Sequence, residues 1–411
     1  MKWSWFGRAA MALVSALALG LSMSACGGGT IAYIWTIGQQ YNQISGFKVD
    51  DYTGNLTQMP GSPYATNGVN PVRIVVKPGG RYVYVINQGS ASTSTGNSND
   101  ANIAVFSVGG DGSLTFQQTY QSQGFYHLWA DFDGTGTYLF VLDKYSPSGD
   151  GNGAITVFAA DANTGRLTLV TQTASTPSGG VAPTYLEVGS SPRMMADTSS
   201  CLFTINQADQ SITPFSYANG QLSYVTTGKI FPGTSNVNSI NGNSTYMVLT
   251  DPGIPSSNGT YSTSGQIFPF TVSSACGLTP LTGQTSVANQ AGVSDPVYSL
   301  LDAKSQYLYI LNATTTGTSA TSVYSQITGY TISNGQLSPL SESPFKSGPG
   351  PVCMVEDPTA KYMYESNFND GTITGYTYSS TEGTLSDLPR GSTFQTNDAK
   401  GQCLALSGSV E

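Results

Sequence analysis

Short runs of alternating aromatic and aliphatic residues recur along this chain, and each run ends in a short polar side chain. Runs of this length, rich in tyrosine and β-branched residues, predict strands. A shorter apolar run precedes each of them, as at residues 73–76, and another follows, as at residues 103–108. No segment has a convincing amphipathic helical period, so the pattern indicates an all-β protein. The five clearest runs are residues 82–87, 138–143, 246–251, 307–312 and 362–367.

A second signature, Gly-x-Leu-Thr/Ser, follows each group of runs, with one shortened copy at residues 277–279. Its leucines lie at positions 56, 114, 167, 222, 278, 337 and 385, which are separated by 58, 53, 55, 56, 59 and 48 residues. A period in this range is typical of a repeat architecture. Four predicted strands per repeat are the content of one β-propeller blade.

The two ends of the chain complement each other. The first repeat begins directly with its second strand, residues 31–35, whereas the chain ends in an unpaired strand, residues 402–406. Pairing these two strands would fill the vacant inner position and remove free sheet edges. We therefore predict one domain over residues 31–411, a seven-bladed β-propeller of four-stranded blades whose ring is closed by the N- and C-terminal strands.

The first residues predict export. Lys2 and Arg8 precede an apolar run at residues 9–21, which is too short to span a membrane and is typical of a secretory signal. Residues 21–26, Leu-Ser-Met-Ser-Ala-Cys, resemble a bacterial lipobox, in which the cysteine is lipidated. We expect a signal peptide at 1–25, lipidation of Cys26, a glycine-rich tether at 26–30 and anchoring to the cell envelope, facing the periplasm or the outside. Ordinary signal cleavage, giving a soluble secreted protein, is the alternative.

Charge limits the partners. The 15 basic and 24 acidic residues give a net charge of −9, which becomes about −11 without the leader. Nucleic acids and anionic lipid headgroups are poor partners for such a surface. We expect contact with the membrane only through the lipid, no cofactor and a monomeric protein.

Four cysteines remain after Cys26, and an even number in an exported chain favours two disulfides. Cys353 and Cys403 hold matching positions on the predicted inner strands of two adjacent blades, where a bridge would lock the seam of the ring. Cys201 and Cys276 fall in turns expected on the bottom face of two neighbouring blades, and they are the second candidate pair. Buried free thiols are the alternative for all four.

No metal site is predicted. The chain has no Cys-x-x-Cys pair and a single histidine, so the usual zinc ligand sets are missing. The loop at residues 143–152 offers oxygen ligands without the order of an EF-hand. Gly-x-Ser-x-Gly, phosphate-loop and His-Glu-x-x-His motifs are also absent from the sequence.

The repeats resemble those of the seven-bladed lactonase family, which contains 6-phosphogluconolactonases and carboxy-muconate cyclases and is close to surface proteins with YVTN repeats. The shared motif is a proline, an apolar strand, a turn, Tyr-aliphatic-Tyr-aliphatic-x-Asn and Gly-x-Leu-Thr, and it covers essentially the whole mature chain. Such a motif is specific for the fold and only weakly specific for activity. In active family members a histidine, an arginine and a glutamate converge at the top of the channel.

Three positions of this chain match that catalytic set. His127 corresponds to the second histidine of the family's Pro-His-x-His, with Phe125 in place of the first. Arg193 corresponds to the arginine of Gly-Pro-Arg-His, with Met194 in place of the histidine, and Gln207 falls where the family has glutamate. The resemblance implies that the imidazole would deprotonate water and the guanidinium would stabilise the oxyanion. Gln207 cannot accept a proton, so the site is incomplete.

Further ligand-binding candidates at the channel are Arg73, Asp143, Asp251 and Tyr298. Asp143 and Asp251 end second strands, where short polar side chains usually cap turns. Either of them could replace the missing acid. The polar insertions at residues 89–101 and 252–265 should project from the top face, where a binding function would reside.

Two functions remain open. One is a ligand-binding or interaction propeller of the cell envelope that has lost part of the lactonase site; its ligand would be a small lactone, a carbohydrate-derived molecule or a protein at the top face. The other is an exported hydrolase of a sugar-derived or other small lactone, with His127 as base and Arg193 as oxyanion stabiliser. The missing glutamate favours the first, and the retained His127 and Arg193 favour the second.

Overall fold

The computed structural model describes residues 29–90, 100–173, 183–225, 228–257, 261, 263–313, 325–333 and 335–408. Within these ranges the chain forms seven antiparallel sheets arranged as a ring, which confirms the predicted seven-bladed β-propeller. We number the blades 1 to 7 in chain order and call the face at which the inner strands begin the top face. The described residues contain no helix long and apolar enough to cross a membrane. The predicted signal peptide and Cys26 lie outside the described residues.

Each blade has four strands, ordered from the channel to the rim. The inner strands of blades 1 to 7 are Gly401–Gly408, Pro71–Val76, Phe125–Phe132, Pro192–Asp197, Ser239–Gly242, Pro296–Leu301 and Pro351–Glu356. The second strands are Thr30–Gly38, Tyr82–Asn87, Tyr138–Tyr145, Cys201–Asn206, Tyr246–Asp251, Tyr307–Asn312 and Tyr362–Asn367. The third strands are Gln43–Asp50, Asn102–Val108, Asn152–Ala160, Ser211–Ala218, Gln266–Val272, Gln326–Ser333 and Thr372–Tyr378.

The fourth strands begin at or beside the leucine of the Gly-x-Leu signature: Leu56–Gln58, Leu114–Tyr120, Leu167–Leu169, Gln221–Tyr224, Leu278–Pro280, Gln336–Pro339 and Leu385–Asp387. Five blades also have a short strand that pairs with the third strand beyond the end of the fourth. These are Tyr64–Ala65, Leu186–Ser190, Val287–Ala288, Phe345–Lys346 and Thr393–Gln395.

The ring closes as the chain ends predicted. The last strand, Gly401–Gly408, pairs antiparallel with the first, Thr30–Gly38, and Trp35 lies opposite Ala405. This pairing supplies blade 1 with the inner strand that the N-terminal repeat lacks. Closure thus removes an inner edge that would otherwise be free to pair with another chain.

Both predicted disulfides are present. Cys353 on the inner strand of blade 7 is bonded to Cys403 on the closing strand, with the Cα atoms 5.0 Å apart. Cys201 and Cys276 join the bottoms of blades 4 and 5, with the Cα atoms 5.5 Å apart. The seam therefore has a covalent tie in addition to its hydrogen-bonded strand pair.

The two sequence signatures meet at the interfaces between blades. The hydroxyl of Tyr84 on the second strand of blade 2 donates to the carbonyl oxygen of Gly165 in the Gly-x-Leu turn of blade 3, at 2.7 Å. Gly165 has φ +66°, and a Cβ there would lie 2.4 Å from the ring of Tyr82. Glycine is required for both reasons. The same tyrosine-to-glycine bond joins Tyr309 to Gly383 and Tyr364 to Gly54.

Candidate functional site

A bulge near the start of the inner strands singles out Arg193. The register of the inner strand skips its second residue in blades 2, 4, 6 and 7. A bulge re-aims the side chain of the extra residue. In three of these blades that residue is a half-buried valine, Val72, Val297 or Val352, whereas in blade 4 it is the exposed Arg193. The top of blade 4 therefore places a guanidinium where the other three have an aliphatic group.

Arg193 reaches from blade 4 toward the tops of two further blades. Its Nε donates to the carbonyl oxygen of Asn238, before the inner strand of blade 5, at 3.1 Å. It also acts on Asp295, directly before the inner strand of blade 6: burial raises the pKa of Asp295, and the charge of Arg193 opposes that rise. Arg193 and Asp295 are not among the ion pairs of the described residues, so their charged atoms are more than 4.0 Å apart. An exposed cation and a half-buried anion thus lie near each other at the channel mouth, and neither has an ion-pair partner among the described residues.

The turn before the inner strand fixes Asp295. Its backbone has φ 55°, in the left-handed region that aspartate and asparagine tolerate better than most residues. Asn70, Ser191 and Lys400 adopt the same conformation immediately before the inner strands of blades 2, 4 and 1. Asp295 therefore occupies a defined position of the repeat and not an irregular loop.

A polar network continues from Gln207 toward blade 5. The Nε2 of Gln207 donates to Oδ1 of Asn236 at 2.7 Å, and Nδ2 of Asn236 donates to the carbonyl oxygen of Gly253 at 2.9 Å. Burial raises the pKa of Tyr261, whose hydroxyl hydrogen-bonds to Asn236 and interacts with both Asp295 and Arg193. We call Arg193, Gln207, Asn236, Tyr261 and Asp295 the mouth site.

Asp251 borders the mouth site, but backbone groups occupy its carboxylate. Oδ1 accepts the N–H groups of Asn236 at 3.1 Å and Gly253 at 2.7 Å, and Oδ2 accepts that of Ser235 at 2.5 Å. The side chain is buried. Asp251 therefore fixes the loop that carries Asn236.

His127 and Asp143 form a separate buried pair. The Nδ1 of His127 lies 2.6 Å from Oδ1 of Asp143, and Oδ2 of Asp143 accepts a hydrogen bond from the hydroxyl of Ser122 at 2.7 Å. The side chains of His127 and Asp143 are 1% and 0% exposed. The Nε2 of His127 has no hydrogen-bond partner. In a neutral imidazole with its proton on Nδ1, this unpaired Nε2 would be the basic nitrogen.

The repeat explains why His127 is buried. His127 lies opposite Asp143 in the register of blade 3. The residue equivalent to His127 is Pro192 in blade 4 and Pro296 in blade 6. These prolines pack against the preceding blade, because a Cβ on Gly153 would lie 2.3 Å from Pro192 and one on Gly265 would lie 2.7 Å from Pro296. His127 thus holds a position that packs between blades.

The structure brings together two of the three residues that match the family's catalytic set. Arg193 and Gln207 lie in the mouth site, whereas His127 is paired with Asp143. Among the hydrogen bonds and ion pairs of the described residues, none joins His127 to Arg193.

Arg73 and Tyr298 lie deeper in the channel. The Nη2 of Arg73 is 2.9 Å from Oδ1 of Asp131, its Nη1 is 2.9 Å from Sγ of Cys403, and its guanidinium lies 4.0 Å above the ring of Trp129. Tyr298 also interacts electrostatically with Arg73. Arg73 therefore links blades 2, 3, 1 and 6 across the channel below its mouth.

Sequence reasoning missed Asp295, Asn236 and Tyr261. Asp295 had a usable signal, because it directly precedes Pro296 as Ser191 precedes Pro192 beside Arg193. Tyr261 falls in the polar insertion at residues 252–265, which was expected at the top face. Asn236 has no recognisable motif. In the described parts of the chain, no group of three or more histidine, cysteine, aspartate or glutamate side chains could hold a metal ion.

Residues 29–184 match the sequence profile of the family described as "Lactonase, 7-bladed beta-propeller". The match spans blades 1 to 3 apart from the closing strand, and it confirms the resemblance found in the repeats. No curated protein matches the chain.

Solved structures share the fold over the whole ring. A proposed 6-phosphogluconolactonase from Bacteroides fragilis has a TM-score of 0.67 at 16% identity, covering 92% of this chain and 98% of that one. One from Bacteroides uniformis has a TM-score of 0.66 at 14% identity, covering 92% and 100%. The periplasmic gluconolactonase of Pseudomonas aeruginosa has a TM-score of 0.64 at 16% identity, covering 92% and 99%. At these identities the likeness concerns the fold alone.

Proposed function

We propose that this protein binds a small lactone or a related carbohydrate-derived ligand at the mouth site. The observation that carries the proposal is that Arg193 and Asp295 interact electrostatically at the channel mouth while neither has an ion-pair partner among the described residues. A guanidinium donates hydrogen bonds to a carbonyl or carboxylate oxygen, and a carboxylate accepts them from hydroxyl groups. A hydroxylated lactone presents both kinds of group within one ring. A protein partner at the top face is the competing occupant.

Hydrolysis of the bound lactone is the second candidate, and the raised pKa of Asp295 favours it. An effective general base has a pKa near the working pH, and burial moves Asp295 in that direction. Asp295 would take a proton from water as the water oxygen adds to the carbonyl carbon, and Arg193 would stabilise the resulting oxyanion. When the tetrahedral intermediate collapses, the ring C–O bond breaks and Asp295 returns its proton to the leaving ring oxygen, which gives the open hydroxy acid. Asp295 replaces His127 as the proposed base, because the side chain of His127 is 1% exposed and no hydrogen bond or ion pair of the described residues joins it to Arg193.

The test compares binding and turnover of a panel of γ- and δ-lactones by the purified mature protein, using calorimetry and pH-stat titration. Arg193→Ala should weaken binding by about 10- to 100-fold, the usual loss for a hydrogen bond to a charged group. Arg166→Ala, which removes an exposed arginine from the turn of blade 3, should leave binding unchanged.

Turnover, where present, should rise with pH through the pKa of Asp295, because only the ionised carboxylate accepts a proton. Asp295→Asn should abolish this rise of turnover with pH, and His127→Ala should preserve it. Binding without turnover would support the ligand-binding proposal and refute hydrolysis. Lactone binding that is indifferent to both Arg193→Ala and Asp295→Asn would refute the mouth site and direct the search to protein partners.

We also propose that the protein is exported and anchored through a lipid on Cys26. The two disulfides support a location outside the reducing cytoplasm. A radiolabelled fatty acid should be incorporated into the wild-type protein and not into Cys26→Ser. Release of an unlabelled wild-type protein into the medium would instead favour ordinary signal cleavage.

A further inference from the structure

A cavity lies in the lower half of the channel, and Arg73 lines its upper end. Its volume is about 330 Å³, near the lower end of the range of about 300–1,000 Å³ that is usual for small-molecule sites. Its lining comes largely from the later residues of the inner strands, and these residues include Val76, Phe132, Val355 and Leu406. We call it the lower cavity. Polar groups make up nearly as much of its wall as apolar groups, and the charged side chains that line it are Arg73, Asp131 and Asp133.

Most of the hydrogen-bond donors of Arg73 are already engaged. Its Nε donates to the carbonyl oxygen of Ala130 at 3.3 Å, and Nη1 and Nη2 contact Cys403 and Asp131, each at 2.9 Å. The ring of Trp129 covers one face of the guanidinium. Three of the five N–H groups of its guanidinium are therefore engaged, and the side chain is 13% exposed.

Asp131, in contrast, has unused acceptor capacity. One carboxylate oxygen accepts from Arg73 and the other accepts from the indole Nε1 of Trp129 at 3.1 Å. An ionised carboxylate has about four lone-pair sites, so about two remain. The side chain of Asp131 is 25% exposed, compared with 13% for Arg73, and it lines the lower cavity. The group available to a ligand is thus a hydrogen-bond acceptor.

Of the three charged side chains that line the lower cavity, two are acidic, Asp131 and Asp133, and one is basic, Arg73. Asp197 lies close enough that Asp131 and Asp133 add to the effect of burial in raising the pKa of Asp197 to about 6. Lys77 interacts with Asp133 but does not line the cavity. A negative potential and a free acceptor both favour a cationic donor.

We propose that the lower cavity binds a small organic cation, specifically a primary alkylammonium. Its N–H groups donate to Asp131, and its hydrocarbon chain packs against the apolar wall formed by Phe132 and Leu406. This site is independent of the mouth site, because none of the residues of the mouth site lines it.

The test uses three six-carbon probes of different charge: hexylammonium, hexanol and hexanoate. Each is titrated into the full mature protein, and binding is measured by calorimetry. Hexylammonium should bind, and the other two should bind at least about tenfold more weakly, since an ionic hydrogen bond is worth a factor of this size. Equal or tighter binding of hexanoate would overturn the proposal, because the anion would then be recognised by Arg73.

Two variants locate the site. Asp131→Asn should weaken hexylammonium binding at least about tenfold, whereas Asp209→Asn, which breaks an exposed aspartate–lysine pair, should not. Val355→Phe fills the cavity while leaving the Arg73–Asp131 pair intact, and it should abolish binding even if Asp131→Asn fails to fold. Arg193→Ala should have no effect on hexylammonium. Unchanged binding in Val355→Phe would refute the lower cavity as the site, whatever the outcome at the mouth site.

Discussion

At the scale of single residues, blade 3 replaces a proline–asparagine pair with a histidine–aspartate pair. His127 lies opposite Asp143 in register, and the side chains are 2.6 Å apart. A proline has no side-chain donor and an asparagine has no charge, whereas an imidazole N–H and a carboxylate satisfy each other. Each of the two residues therefore depends on the other. The corresponding pairs elsewhere are Pro71–Asn87, Pro192–Asn206, Pro296–Asn312 and Pro351–Asn367.

This dependence predicts strong coupling in a double-mutant cycle. Asp143→Asn removes the charged acceptor of His127 and Ser122, and His127→Pro leaves a buried carboxylate without its main partner. Each should lower the free energy of unfolding by about 1–3 kcal/mol. The double variant restores the pair used by blades 2, 4, 6 and 7, so its loss should be at least about 1 kcal/mol smaller than the sum. Urea unfolding measures all four proteins, and strictly additive losses would show that the pair is not coupled.

At the scale of strands and turns, the repeat could be predicted from the sequence because its two signatures, the second-strand run and the Gly-x-Leu turn, contact each other. The tyrosine of the second strand and the glycine of the Gly-x-Leu turn meet at the blade interfaces, as Tyr84 and Gly165 do. Such a contact constrains residue type at both ends, and it therefore leaves a readable pattern. The short strands that lie beyond the fourth leave a weaker pattern, because they pair with the third strand over few residues: Leu186–Ser190 has only three register pairs with it.

The candidate site could be predicted only in part, because it is assembled from residues of different blades. Arg193 and Gln207 were found because they adjoin motif residues. Asp295 was missed because its importance lies in its position relative to Arg193, two blades earlier. Asp251, which was predicted as a ligand-binding acid, is buried with its oxygens bonded to backbone N–H groups, a feature that the sequence does not reveal.

At the scale of the whole molecule, the ring has two different kinds of connection. Six blades are built from consecutive strands, and blade 1 combines Thr30–Gly38 with Gly401–Gly408 from the other end of the chain. The Cys353–Cys403 bond ties that closing strand to blade 7. Loss of the closing strand would open the ring, so the Cys353–Cys403 bond, which holds that strand against blade 7, supports the closure of all seven blades. The Cys201–Cys276 bond joins blades 4 and 5, each of which is built from consecutive strands.

Buried carboxyl groups make the stability of the whole ring depend on pH. Burial raises the pKa of Asp197 to about 6 and the pKa values of Glu356 and Glu365 to about 7. In an unfolded chain such groups have pKa values of about 4. Between about pH 4 and pH 7 the folded state therefore binds more protons than the unfolded state, and the free energy of unfolding falls as the pH rises.

The thermal midpoint should accordingly be higher at pH 5 than at pH 8, and Glu365 provides the specific test. Glu365 is 0% exposed, and its carboxylate accepts from the backbone N–H of Gly348 and the hydroxyl of Tyr376. Glu365→Gln removes a titration worth about 1–3 kcal/mol over this interval, so the difference between the two midpoints should shrink. Glu382→Gln, at an exposed turn position, should leave it unchanged. Carboxyl groups with lowered pKa values, such as Asp209, titrate below this window and do not interfere. A midpoint that rises from pH 5 to pH 8, or a difference that Glu365→Gln does not alter, would show that the buried carboxyl groups do not control the stability of the ring.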